Sequence, residues 1–134
     1  MAGYSGAPLA KKLGIKPGMT VFFENLPKAV RSELKTALAE VRIGESLQPK
    51  TEFIHAFVIS KIALKKDFPK WKKNLSKNGC LWVSWPKKAS GMETDLTDQV
   101  VREVGLASSL VDIKVCAVDA QWSGLKFVFR KEDR

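Results

Sequence analysis

Hydrophobic positions along this chain change period several times, and each change predicts an element. Leu9, Ala10 and Leu13 lie between Pro8 and Gly14. Proline suits a first helical residue and glycine a helix end, so a short helix is predicted from Pro8 to Leu13. Lys16-Pro17-Gly18 reads as a turn, and Val21, Phe22 and Phe23 after it predict a short buried strand from Thr20 to Glu24. From Pro27 to Val41, Val30, Leu34, Ala37, Leu38 and Val41 recur at spacings of three and four, the stripe of an amphipathic helix. Arg42 and Ile43 suggest a brief edge strand, followed by a loop that ends near Pro49.

The middle of the chain carries the strongest pattern. Phe53 to Ile59 is almost continuously apolar, as expected of a central strand covered on both faces. Leu64, Phe68, Trp71 and Leu75 then recur at helical spacing, with lysines on the remaining faces. Pro69 falls inside this stripe, so the helix either starts near Asp67 with Pro69 in its first turn or is kinked there. Asn78-Gly79 is expected to turn the chain into a second buried strand from Cys80 to Trp85, ended by Pro86. A polar loop follows, and Thr94 is expected to cap a helix carrying Leu96, Val100, Val101 and Val104 on one side. Val111 to Val118 and Leu125 to Phe129 are two last strands, joined by a tight connection from Asp119 to Gly124. Strands alternating with helices imply a three-layer α/β fold with a mixed sheet of five or six strands. The sheet is mostly parallel and ends in an antiparallel C-terminal hairpin.

Composition sharpens this picture. The 134 residues, 45% hydrophobic and 28% charged, suit a single domain over residues 1–134, large enough to need no disulfide or metal staple. Cys80 and Cys116 lie in apolar stretches without a C-x-x-C spacing or a histidine neighbour. No signal-peptide core or membrane-spanning run is evident, so a reducing cytoplasm is the expected compartment and a membrane is not an expected partner. The net charge is +9, and residues 61–88 hold nine lysines against one acid, Asp67. Such a field attracts polyanions. The candidates for nucleic-acid contact are Lys65, Lys66, Lys70, Lys72, Lys73 and Lys77, against the plainer reading of a solvated helix face.

Two stretches resemble the class I S-adenosylmethionine-dependent methyltransferase fold. Leu9 to Val21, with its helix, Lys-Pro-Gly turn and strand, is similar to the opening of such domains, and Leu75 to Val83 is similar to their fifth strand and the turn before it. The ending, a helix followed by two strands of which the last inserts antiparallel, also fits. The resemblance implies a Rossmann-like, reduced methyltransferase-like architecture. A second resemblance is to a family of small bacterial proteins opening with Gly-Tyr-Ser-Gly-x-Pro-Leu-Ala-Lys-Lys-Leu-Gly-Ile-Lys, here Gly3 to Lys16. It extends through Leu81 to Gly91, Thr94 to Thr97, Lys114 to Asp119 and Trp122 to Lys126. It implies a fold family and supplies no activity.

Against that fold, the chemistry is reduced. A methyltransferase of this class holds its cofactor with an acid and alternating glycines after the first strand, since glycine lets the backbone approach a ligand. Here Phe23 stands where the acid belongs, and Asn25 and Pro27 where glycines belong. The stretch from Glu24 to Phe53 is also too short for the helix, strand, helix and strand that would carry the acid for the ribose hydroxyls. His55, the only histidine, lies in an apolar strand and reads as a hydrogen-bonded core residue. No Ser-His-Asp set or metal-ligand spacing accompanies it, so no catalytic residue, metal or cofactor is assigned, with S-adenosylmethionine the one cofactor kept in view.

What remains is the loop after the Cys80 to Trp85 strand. In open α/β sheets ligands bind beyond the carboxyl ends of strands, and this position carries Lys87, Lys88, Ser90 and Gly91 before the predicted helix at Thr94. Cations, a hydroxyl and helix N-terminal amides make up an anion seat, beside which Trp85 and Trp122 are expected to offer flat surfaces. Tyr4, Ser5 and Gly6 are a polar segment that could fold over it. The leading expectation is a non-catalytic binding domain for an anionic ligand. Its alternatives are a nucleic-acid binder using the helix over 61–77, a divergent methyltransferase, and a protein that acts through a protein partner.

Overall fold

The computed structural model describes residues 8–134. Six strands form one sheet in the order β2-β1-β3-β4-β6-β5. They are β1 (Thr20–Glu24), β2 (Arg42–Ile43), β3 (Thr51–Phe57), β4 (Leu75–Pro86), β5 (Leu110–Ala117) and β6 (Trp122–Phe129). The first four pair in parallel, while β6 inserts antiparallel between β4 and β5. This is the mixed sheet with a C-terminal hairpin that the alternation of patterns implies, and the two-residue β2 supplies its sixth strand.

Helices cover both faces. On one face α4 (Lys61–Asn74) and α5 (Asp98–Ala107) bury Leu64, Phe68, Trp71, Val101 and Val104 against Ile54, Leu81, Val83, Leu125 and Phe127. On the other, α1 (Leu9–Leu13), α2 (Lys28–Glu33) and α3 (Lys35–Leu38) bury Leu13, Val30, Leu34 and Leu38 with Phe53, Phe57, Trp82 and Trp122. β3 and β4 are apolar on both sides because they lie between these two layers. Among the described residues no helix is long and apolar enough to cross a membrane.

Four elements depart from the pattern-based reading. The helix expected from Pro27 to Val41 is broken at Leu34, whose ψ of 1° lies outside the helical well, and it ends at Leu38. Leu34 is fully buried, so side-chain packing outweighs helical continuity there. Of the two readings of Pro69, the structure excludes the late start: α4 begins at Lys61, capped by the Ser60 hydroxyl accepting from the Ala63 amide, and runs through the proline as one helix. Asn78-Gly79 does not turn the chain. It lies inside β4, at a register irregularity against β3. A Cβ on Gly79 would collide with the backbone of Glu52, so glycine permits the two strands to approach where the ladder is irregular. Finally, Thr97 rather than Thr94 caps α5, accepting from the Val100 amide at 3.2 Å, and Leu96 precedes the helix.

Candidate functional site

A groove of about 1160 Å³ opens at the carboxyl ends of β3 and β4. Its walls come from four places: Ile59 and Ser60 after β3, Trp85 to Lys88 at the end of β4, the segment from Met92 to Asp98, and Val115 and Ser123 on the terminal hairpin. Trp85 is nearly buried in the core under α5 and also lines the groove, so it forms a rigid floor.

Side-chain hydrogen bonds fasten the segment from Met92 to Asp98 over the end of β3. The Thr94 hydroxyl donates to the Ile59 carbonyl at 2.7 Å and accepts from the Leu96 amide at 3.1 Å. The next residue, Asp95, accepts from the Lys61 amide at 2.8 Å, at the first residue of α4. On the opposite wall the Lys87 amide donates to the Gln121 carbonyl at 2.8 Å, tying the end of β4 to the hairpin loop.

The residues expected to form an anion seat separate into two groups. Trp85, Lys87, Lys88 and Thr94 line the groove. Ser90 and Gly91 do not. The Ser90 hydroxyl donates to the Lys87 carbonyl at 2.7 Å and accepts from the Met92 amide, closing a 3-10 turn over Lys88–Ser90, and Gly91 ends that turn in the left-handed region. Trp122 lies in the core of the opposite face, its ring edge-on to Phe57 at 5.2 Å, and so cannot flank the same ligand as Trp85. Two of the first amides of α5 are already taken, that of Gln99 by the Asp98 carboxylate and that of Val100 by the Thr97 hydroxyl. Tyr4, Ser5 and Gly6 lie outside the described residues.

Sequence reasoning passed over three further lining groups, the carboxylates of Glu93, Asp95 and Asp98. Their signal was a run of acids between residues 93 and 98 directly after the most basic window of the chain. With them the lining holds two lysines and three carboxylates. It is of mixed sign rather than cationic, and it does not make the pure anion seat that the loop composition suggested.

The end of β1 is built differently. Phe23, at the place of the cofactor acid, packs edge-on to Phe53 at 5.9 Å and lies 6.0 Å from His55. Glu24 accepts from Trp71 Nε1 at 3.0 Å and pairs with Lys70 at 3.2 Å, which commits its carboxylate to fastening β1 to α4. Asn25 adopts φ of 58°, a left-handed turn that asparagine tolerates better than most side chains, and its amide donates to the Phe57 carbonyl at 3.3 Å. The backbone at Asn25 thus turns as a glycine would, but it carries a side chain where glycine would leave the backbone bare. Along the chain only the two residues of β2 are strand between β1 and β3, and in the sheet β2 lies at the edge with β1 paired directly to β3. These residues do not fit the seat in which a class I methyltransferase holds its donor.

Beneath β1, His55 is fully buried, with Nε2 2.7 Å from Ser84 Oγ and its ring stacked on Phe57 at 4.2 Å. Its Nδ1 has no partner among the described residues, and burial pushes its pKa down to about 3, so the ring is neutral. This is the hydrogen-bonded core histidine that the apolar strand implied. Burial likewise pushes the Cys80 thiol up to about 11, against a smaller opposing effect of Lys126, and raises that of Cys116. Both cysteines are free, buried and protonated. The described residues contain no cluster of three or more metal-ligating side chains.

No protein-family model and no curated protein matches the sequence. Solved structures do match by fold. An S-adenosylmethionine-dependent methyltransferase from Aquifex aeolicus superposes with a TM-score of 0.63 at 14% identity, covering 89% of this chain and 86% of that one. A precorrin-6y C5,15-methyltransferase from Geobacter metallireducens gives 0.59 at 10% identity, over 91% and 86%. A tRNA methyltransferase from B. subtilis gives 0.55 at 11% identity, over 94% and 67%. The chain therefore has the class I S-adenosylmethionine-dependent methyltransferase fold.

Proposed function

We propose that the chain is a divergent binding domain of this fold, which takes a small molecule bearing both signs of charge in the groove at the ends of β3 and β4. The observation that carries the reading is the lining itself, which brings Lys87 and Lys88 together with Glu93, Asp95 and Asp98 over Trp85. A lining of this kind favours a ligand that supplies a cation and an anion together, since an unmatched charge of either sign loses hydration without a partner. Apolar rim residues, Ile59, Met92 and Val115, add contact area for an uncharged portion.

A second reading, methyl transfer, is favoured by the fold neighbours. S-adenosylmethionine carries an ammonium, a sulfonium and a carboxylate, and is therefore the first compound to test, even though the residues after β1 lack the glycine turn of the usual donor seat. Fold alone does not carry the activity.

Thermal-shift titration separates these readings. A ligand at about 100 times its Kd stabilises the fold by roughly 2.7 kcal/mol, several degrees in Tm for a domain of this size. The expected result is a shift with S-adenosylmethionine or another zwitterion, none with inorganic phosphate, and loss of the shift in Lys87→Ala with Lys88→Ala and in Asp98→Asn. A shift with phosphate that survives Asp98→Asn would return the groove to a simple anion seat. Methyl transfer from the bound donor to an added acceptor would establish the second reading.

A further inference from the structure

The lysine excess is more than the solvated face of one helix. At the amino end of β4, a cleft of about 360 Å³ is lined by Lys72 and Lys73 from the last turn of α4, by Lys77 from β4, and by Pro69, Leu75 and Phe129. No acidic residue lines it. Phe129 ends β6, and Arg130 and Lys131 come directly after it. Cations from two separate stretches of the chain, 72–77 and 130–131, thus lie at one end of the sheet. The groove lies at the other end of β4, roughly 26–36 Å away at about 3.3 Å per residue between the strand residues that line each.

The patch also continues along α4. Lys65 with Lys72, and Lys66 with Lys73, repeat at a spacing of seven residues, two turns apart on one side of the helix and about 10 Å along it. All four are at least partly exposed, and none has a partner among the described residues, whereas Lys70 is taken by Glu24 and Asp67. A line of cations suits a linear polyanion better than a compact headgroup. Phe129 is buried, with Lys77 Nζ 4.2 Å over its ring centroid, so no aromatic face is left for a base to stack on.

We propose that this end of the molecule binds nucleic acid through its phosphate backbone, along α4 and into the cleft of Lys72, Lys73 and Lys77, without reading bases. The proposal is independent of what occupies the groove. Among polyanions, an acidic membrane surface is the less favoured partner: the line from Lys65 to Lys77 carries no exposed Leu, Ile, Val or Met, and the exposed Ile62 lies outside it, one helical turn before Lys66.

The test is fluorescence anisotropy on the full chain with labelled single-stranded and duplex oligonucleotides of about 20 nucleotides, in two unrelated sequences, between about 50 and 200 mM salt. The expected result is binding at low salt that falls steeply as salt rises and is equal for both sequences. Replacing Lys72, Lys73 and Lys77 by glutamate is expected to weaken it at least tenfold, whereas three lost phosphate contacts on single strands flatten the log–log salt slope by about 2. Lys87→Ala with Lys88→Ala, in the groove, is expected to leave it unchanged. Lys65→Gln with Lys66→Gln, on the exposed face of α4, provides a milder second variant with an intermediate loss, should the triple substitution lower Tm. Absence of binding at low salt, unchanged affinity in both variants, or strong preference for one sequence would overturn the proposal. So would tight association with phosphatidylserine vesicles without oligonucleotide binding, which would assign the patch to a membrane surface.

Discussion

The ends of β1 and of β3 and β4 lie along the same edge of one sheet, and the chain finishes them in opposite ways. After β1, Phe23 turns into a cluster with Phe53 and His55, Glu24 is tied to Trp71 and Lys70, and Asn25 is bonded to the backbone of β3. After β3 and β4, two lysines and three carboxylates line an open groove over Trp85. At the first end the side chains are spent on one another and on the neighbouring elements, and the Phe23 ring leaves water in part by packing on Phe53. At the second, charges resist burial without partners, and the end stays open. Where a ligand can sit on this sheet is decided by the residues just beyond each strand, not by the order of the strands.

The sharpest way to break this contrast is at the groove floor. Trp85→Ala removes a large side chain that is nearly buried under α5. It is expected to cost about 3–5 kcal/mol in denaturant unfolding and to abolish the groove ligand's thermal shift. If stability were unchanged, Trp85 would be a surface residue in solution and the groove would have no rigid floor.

Next in size is an attempt to convert the closed end into the open kind. Phe23→Asp replaces a partly buried ring, packed on Phe53, by a carboxylate beside a neutral histidine, and is expected to cost roughly 2–4 kcal/mol. Adding Asn25→Gly and Pro27→Gly restores the residue types of a donor turn, yet S-adenosylmethionine binding is not expected to appear beside β1, because along the chain only the two-residue β2 is strand between β1 and β3. Calorimetric titration decides it. Gain of donor binding by the triple variant would mean that three side chains, and not the shortened architecture, separate the two ends.

The same contrast explains what was legible from the pattern of residues. Strand cores such as Phe53 to Phe57 and Cys80 to Trp85 were readable because apolar runs report burial directly. The continuation of β4 back through Asn78-Gly79 was not, since its cause is the approach of another strand at Glu52, which no local pattern contains. Thr94 and Thr97 are chemically equivalent candidates for a cap, each followed directly by an aspartate, and what separates them is a tertiary contact: the Thr94 hydroxyl donates to the Ile59 carbonyl after β3, which no local pattern contains. Trp122 was misplaced although alternation along its own strand locates it: it stands three residues before Leu125, an odd count that puts the two on opposite faces. At the site, Trp85, Lys87, Lys88 and Thr94 are legible from the rule that ligands bind beyond strand ends. The acids are masked by the lysine excess of the window that precedes them.

His55 probes the closed end without mutation of its neighbours. With a folded-state pKa near 3 against the ordinary 6.5, the unfolded chain takes up a proton between these values that the native chain refuses. Stability is therefore insensitive to this group above pH 6.5 and falls as pH drops, by about 1.4 kcal/mol per unit and roughly 2.7 kcal/mol by pH 4.5. Chemical unfolding from pH 7 to 4.5 is expected to show this slope in the wild type and a shallower one in His55→Leu. Equal slopes would place the histidine in contact with solvent and reopen the end of β1 as a polar site.

The smallest effects separate the two threonines that flank the open end. Thr97→Ala removes the cap of α5, whose hydroxyl accepts from the Val100 amide, and is expected to cost about 1 kcal/mol of stability with little change in ligand affinity. Thr94→Val removes the hydrogen bond that fastens the groove wall to the Ile59 carbonyl after β3, and with it the bond from the Leu96 amide that shapes the wall itself. It is expected to cost a similar amount of stability, about 1–2 kcal/mol, and in addition to weaken the groove ligand, because the wall that carries Glu93 and Asp95 then has to be ordered on binding. Measuring Tm and Kd for both variants distinguishes a groove preorganised by its strap from one merely bordered by a helix: equal affinity in the two would show that Thr94 contributes to folding alone.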